Sequence, residues 1–354
     1  MQQKKNDPNE GLRRLNEAIA SGNAGNFYIF HGDERYLLDR SLAALRKQIC
    51  PGGLDSFNYK RYEGKTVQIS ELRDAIDTLP LFAERTLIEI HDFDIFKDEQ
   101  KQKLNELFSD LPEYVCLVFI YDVVPYKPDG RVKIDAQILK NAQVVEFALQ
   151  EQAKLIKWIS THFETSGKRI SASDSAYLAL ITGGYMSGLH TEINKITAYA
   201  RSETITRPDI DAVVTPVTEA VVYKLTDALA AHDNIKSMQI LDDLLSMQEA
   251  PHKLIFSISL KMRQLLAARI CIDASAGRAE LMEMCGIKYD FQAKSLMETA
   301  RRMTLAECRD AVLNCSETAL DLNSSPEAET RLIELVLKLA LGRTEGSAFN
   351  GEYS

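Results

Sequence analysis

Hydrophobic and polar positions follow two regimes along the chain, and the change falls near residue 149. Before it, short apolar runs are separated by helical periodicities. Phe27-Tyr28-Ile29-Phe30 reads as a buried strand, His31-Gly32-Asp33-Glu34 as a turn, and residues 35–48 as a helix with Leu38, Leu42 and Leu45 on one face. Further strands are expected at residues 57–62, 86–90, 115–121 and 144–147, with helices at 70–79, 99–108 and 134–141. Pro80 closes the first of these helices. Strands separated by helices pair in parallel through right-handed crossovers. The unbroken apolar run from Val115 to Ile120 suits a central strand covered on both faces.

Beyond residue 149 the strand signals stop. Leu155, Trp158 and Ile159 mark a helix over residues 151–163. Ser171-Ala172-Ser173-Asp174 resembles a capping box and opens a helix that ends at Gly183-Gly184. Leu189, Ile193 and Ile196 lie on the next helix, and Thr206-Arg207-Pro208-Asp209 starts a short fourth. The last third carries three apolar stripes: Val222, Leu225 and Leu229; Ile235, Met238, Leu241 and Leu245; Ile255, Ile258, Met262 and Leu265. Thr304 to Glu307 forms another capping box, Ser325-Pro326 supplies a helix start, and Gly342 a stop. The expected domains are therefore residues 1–148 (α/β), 149–214 (helical), 215–342 (all-helical) and a frayed tail, 343–354.

Composition narrows the function. A length of 354 residues suits two or three domains. The net charge of −9 argues against a chain whose main task is coating nucleic acid. The first ten residues lack an apolar core, and the most apolar late run, residues 332–341, is interrupted by Glu334 and Lys338. Neither a signal peptide nor a membrane span is expected. Six cysteines without a C-x-x-C pair read as buried reduced thiols, which places the protein in the cytoplasm.

The strand-helix order invites a nucleotide site, and the residues for one are missing. A phosphate-binding loop needs the spacing Gly-x-x-x-x-Gly-Lys-Ser/Thr, so that backbone N–H groups close around phosphate and the Lys reaches the outer phosphates. The turn after the first strand has one glycine, no Lys, and the carboxylates of Asp33 and Glu34, which repel a triphosphate. The third strand ends Glu89-Ile90-His91-Asp92, without the Asp-Glu pair that would hold magnesium and activate water. No Gly-x-Ser-x-Gly turn occurs. The six histidines are scattered and read as surface or capping residues; Asp92, Asp94 and Asp98 read as a solvated loop rather than a metal site. No catalytic residue, cofactor or metal is expected. Leu81 and Phe82, just after Pro80, either protrude as a compact apolar contact for a partner or pack inward to anchor the helix before them.

These residues resemble one family, the delta subunit of the bacterial DNA polymerase III clamp loader. The family's opening strand, Gly-Asp-Glu and Tyr-Leu pair are matched by Phe30-His31-Gly32-Asp33-Glu34-Arg35-Tyr36-Leu37. Its Leu-Pro-Leu-Phe segment and following strand are matched by residues 79–90. Gly184, Leu189, Glu192, Lys195 and Tyr199 resemble its Gly…Leu-x-x-Glu-x-x-Lys…Tyr helix, and Ile205 to Ile210 its Ile-Thr-x-x-Asp-Val segment. Glu249-Ala250-Pro251 resembles its Gly-Glu-x-Pro turn, with Gln248 in place of the Gly. After the fourth strand, Asp122-Val123-Val124-Pro125-Tyr126-Lys127 departs from the family's Asp-Lys-Arg. The resemblance implies a degenerate AAA+ module with a RecA-like parallel sheet, a helical lid and an all-helical collar. It implies assembly through the collar into a hetero-pentamer of loader subunits, with primer-template DNA held in the complex. It also implies binding to the sliding clamp through Leu81 and Phe82, opening of its ring, and no ATP binding by this chain. Competing readings are a divergent AAA+-type ATPase and a generic helical adaptor.

Overall fold

The computed structural model describes residues 9–341 except 52–54, 65–66, 98, 100, 288 and 322–326. The helix start at Ser325-Pro326, the stop at Gly342, the tail 343–354, Asp98 and most of the polar N-terminus therefore lie outside the described residues. The chain divides into two compact units, Met1–Gln150 and Glu151–Ser354.

The first unit runs α1 (Glu10–Ala20), β1 (Phe27–His31), α2 (Arg35–Ile49), α3 (Asp55–Asn58), β2 (Tyr59–Glu63), α4 (Ile69–Asp77), β3 (Thr86–His91), α5 (Lys101–Ser109), β4 (Val115–Tyr121), α6 (Lys133–Asn141) and β5 (Gln143–Glu146). The five strands form one sheet in the order β2-β3-β4-β1-β5, and every pairing is parallel. All of β4 is buried, as its continuous apolar run requires. One apolar layer packs Leu72, Ile76, Leu104 and Phe108 against Ile88, Ile90 and Phe119. The opposite layer packs Leu38, Leu42 and Leu45 of α2 against Tyr28, Phe30 and Val118.

The strand expected over 57–62 begins only at Tyr59, because Phe57 and Asn58 close the helical turn α3. Nor is His91 a surface residue: it is buried at the end of β3 beside Glu89. Glu89 sits in the middle of that buried strand, 3.2 Å from the Arg46 guanidinium and 2.9 Å from the Tyr59 hydroxyl. His91 Nε2 lies 3.5 Å away. Burial alone would raise the Glu89 pKa, but hydrogen bonds from His91 and Tyr59 and the charge of Arg46 outweigh it and hold the carboxyl below the usual range. Between its lowered pKa and the unfolded value of about 4.3, the folded state thus binds fewer protons than the unfolded chain. The stabilisation is complete above that value and is lost as pH falls through the lowered folded pKa. Glu89→Gln is expected to cost about 1–2 kcal/mol at neutral pH and to flatten the acid limb of the stability curve, read by urea unfolding from pH 7 to 3.

The second unit comprises α7 (Gln152–Thr165), β6 (Arg169–Ile170), α8 (Ala172–Ile181), α9 (Met186–Tyr199), β7 (Thr204–Ile205), α10 (Arg207–Val213), α11 (Thr218–Ala230), α12 (Asn234–Ser246), α13 (Pro251–Asp273), α14 (Arg278–Cys285), α15 (Asp290–Ala300), α16 (Leu305–Asp321) and α17 (Ala328–Leu341). Contrary to expectation, strand structure does not stop at residue 149: β6 and β7 form a parallel pair of two residues each. The Ser171 hydroxyl caps α8 by accepting the Asp174 N–H, and at the start of α10 the Asp209 carboxylate accepts the Thr206 N–H and hydroxyl. Thr304 and Glu307 cap α16 reciprocally, the carboxylate accepting the Thr304 N–H and the hydroxyl the Glu307 N–H. From Thr218 on, the described residues contain helices and no strand.

Of the apolar stripe expected on α12, Leu241 is buried and Met238 and Leu245 pack against the same core, but Ile235 does not. Ser237, Ile240, Leu241 and Leu244 face the core, whereas Ile235 is 76% exposed. Gln248, at the place of the resembling family's glycine, adopts a left-handed φ of 57°. The six cysteines form no disulfide, and all but the half-buried Cys285 are buried.

Candidate functional site

Two places deserve comparison: the crevice at the carboxyl ends of the strands, where open parallel sheets bind ligands, and the corner between α4 and β3. In the first, the turn after β1 is turned onto the protein itself. Gly32 adopts φ 126°, and a Cβ there would lie 2.4 Å from the Phe147 carbonyl oxygen. The Glu34 N–H donates to that oxygen at 2.8 Å, and the Phe147 N–H donates to the His31 carbonyl at 2.7 Å. A glycine that in a phosphate loop would admit phosphate here admits the exit of β5.

The space above the turn holds aromatic rings. His31 stacks on Tyr126 with centroids 4.0 Å apart, and Tyr126 meets Tyr121 and Phe96 edge-on. Burial pushes the His31 pKa down to about 4, so the ring is neutral at physiological pH. Asp92, at φ 54°, accepts the N–H groups of Asp122, Val123 and Val124 at 2.9, 2.7 and 3.0 Å. Burial raises the Asp92 pKa, but these bonds outweigh it and hold the carboxyl below the usual range. Arg35 pairs with Asp122 at 2.7 Å. The acidic residue expected in a solvated loop is thus the clip that holds the loop after β4. Among the described residues no cluster of three His, Cys, Asp or Glu could hold a metal.

The second place carries the residues singled out in the sequence. Helix α4 ends at Asp77, and its Thr78 cap leads into Leu79 and Pro80. Leu81 is 45% and Phe82 82% exposed, and Phe82 takes a left-handed φ of 55°. The inward-packing alternative therefore fails for Phe82 outright and for Leu81 in part. Leu79 and Phe57 are also exposed. Sequence reasoning missed the polar groups that hold this corner. Fully buried Asn58 bonds the Leu81 backbone. The Arg85 guanidinium donates to the carbonyls of Ala24, Gly25 and Val115 and to Asn26 Oδ1. Only an asparagine at the edge of an expected strand hinted at the first.

A parallel five-stranded sheet in this order, crossed by helices, lacking a phosphate loop and followed by a helical region, defines an α/β module with an appended, mainly helical part. Two family models match the chain and together span more than half of it: "DNA polymerase III, delta subunit" over residues 28–148, and the C-terminal domain of the same subunit over residues 219–339. The chain belongs to the DNA polymerase III delta subunit family. It is 23% identical over 336 residues to DNA polymerase III subunit delta of Bacillus subtilis, covering 93% of this chain and 96% of that one. The solved structure of the Bacillus subtilis DNA clamp loader delta protein, YqeN, superposes with a TM-score of 0.65 at 20% identity, over 94% of this chain and all of that one. Among the described residues no helix is long and apolar enough to cross a membrane.

Proposed function

We propose that this chain is a non-catalytic clamp-loader subunit that binds the sliding clamp through Leu81 and Phe82. It opens the ring, or holds it open, for loading onto primed DNA, and binds no ATP itself. The observation that carries this reading is the exposed apolar pair at a conformationally strained corner. Apolar side chains that large are kept in water, at a left-handed φ, where a partner buries them. The division into an AAA+ module (1–148), lid (149–214) and collar (215–342) belongs to the same proposal. So does assembly with other loader subunits through the collar, where Ile235, Phe256, Leu320 and Leu341 are exposed. The site of action is the cytoplasm, and primer-template DNA is met within the complex.

A wedge opens a ring only if it binds the open state better than the closed one. Burying Leu and Phe side chains contributes roughly 1.5–3 kcal/mol each. That biases an interface already under strain; it does not tear apart a relaxed one. ATP-driven exposure of the corner must come from partner chains, because the turn after β1 is closed onto Phe147 and covered by Tyr126.

The test is clamp unloading. The purified chain is expected to release a sliding clamp from circular DNA equally well with and without ATP, and to show no heat of ATP binding. Unloading that requires ATP, or micromolar ATP binding lost on changes at Gly32 or Asp33, would favour the divergent-ATPase reading. Failure to bind the clamp at all would favour the adaptor reading.

A further inference from the structure

We infer that Asn58 is a positioning residue that presets the Leu81–Phe82 wedge in the conformation that enters the clamp; the inference rests on the reading of that pair as the clamp contact. The loop from Leu79 to Phe82 buries little of its own apolar surface, since Leu79 and Phe82 are largely in water and Leu81 is nearly half exposed. Side-chain packing therefore has little hold on its conformation. The hold is polar. The Asn58 carboxamide oxygen accepts the Leu81 N–H at 2.7 Å, and its amide nitrogen donates to the Leu81 carbonyl at 2.6 Å. One side chain thus satisfies both main-chain groups of the residue that begins the wedge, as a neighbouring strand would.

The geometry has a direct consequence for the wedge. With both Leu81 backbone groups committed to the interior, the Phe82 that follows at φ 55° is carried outward. A left-handed conformation is unfavourable for a non-glycine residue, so a loop released from Asn58 relaxes toward other conformers. Asn58 itself has no solvent exposure, and its main-chain carbonyl lies 3.3 Å from the Cys50 sulfur, which anchors it at the end of α2. A fully buried carboxamide adds nothing to apolar packing. Its two bonds go to one residue of an otherwise loosely packed loop, which is the arrangement expected of a support for a binding element.

The experiment compares Asn58→Ala with the parent in three readouts: clamp affinity, amide hydrogen exchange at Leu81, and exchange at Ile88 to Ile90 in β3. Positioning predicts fast exchange of the Leu81 amide, unchanged protection in β3, and clamp affinity weakened roughly 10- to 100-fold, the cost of ordering two side chains and their loop on binding. Where Asn58→Ala fails to fold, Asn58→Asp, which keeps the acceptor for the Leu81 N–H and loses the donor, is expected to weaken affinity less, with Leu81 exchange between the two extremes. Unchanged affinity in a folded Asn58→Ala with a fast-exchanging Leu81 amide overturns the inference. So does an affinity loss that merely tracks lost protection throughout β3. Leu81→Ala with Phe82→Ala separates the two claims. If that variant loses clamp binding while folded Asn58→Ala keeps it, only the positioning role falls; if it binds the clamp like the parent, the wedge reading itself falls.

Discussion

Replacing Leu81 and Phe82 together by alanine is expected to weaken clamp binding by roughly a hundred- to a few thousand-fold and to leave the first unit folded. Truncating two apolar anchors removes roughly 3–5 kcal/mol of binding free energy, discounted for imperfect burial, and each 1.4 kcal/mol is about tenfold in affinity. The fold has little to lose. Phe82 is 82% exposed, and the Asn58 bonds that hold the loop end on Leu81 backbone that alanine retains. A core role for the pair predicts the reverse pattern: a large fall in unfolding temperature, with binding lost only as a consequence. Thermal unfolding and clamp affinity measured on the same double variant decide between them. A collapse of stability, or a stable variant that still binds tightly, would falsify the wedge assignment.

Gly32→Ala is expected to be the most damaging small substitution in the first unit, costing about 3–4 kcal/mol. Two penalties coincide there. The φ of 126° is a conformation that only glycine adopts readily. The new methyl would also meet the Phe147 carbonyl oxygen at 2.4 Å, backbone that is itself fixed by bonds to His31 and Glu34. Neither can yield without opening the junction of β1 and β5. A unit of this size should lose on the order of 10 °C in unfolding temperature. Two controls separate the penalties. Gly22→Ala, with φ 77° and nothing within 4 Å, carries only the conformational term of about 1 kcal/mol. Gly130→Ala, in open space without a positive φ, should be nearly neutral. Equal effects at all three positions would show that the close approach to Phe147 is not what demands the glycine.

The parts of this protein legible in its residues are those governed by local pattern. The run from Val115 to Ile120 marks a strand buried on both faces because it admits no polar face, and β4 is that strand. Apolar runs separated by helical periods dictate parallel pairing, since a parallel partner needs a crossover. The caps at Ser171, Thr206 and Thr304 are legible because a hydroxyl and a carboxylate three residues apart satisfy helix N–H groups on their own. The missing phosphate loop is legible for the same reason, as its chemistry lies within one turn.

Tertiary structure decided everything that depends on a distant partner. Asn58 leaves the expected strand because its carboxamide is needed 23 residues away at Leu81. His91 is buried rather than exposed because Glu89, itself held by Arg46 and Tyr59, lies beside it. The pair β6–β7 joins residues 169–170 to 204–205, too short at either end to leave a periodic trace. Ile235, in the first turn of α12, is the one residue of its expected stripe that turns outward, because the helix is set down on Ser237, Ile240, Leu241 and Leu244. Leu81 and Phe82 were conspicuous as residues, but their exposure to water is visible only in the fold, where Asn58 holds the Leu81 backbone. A residue pattern records what a segment can bury; only the completed fold determines which of its faces finds something to be buried against.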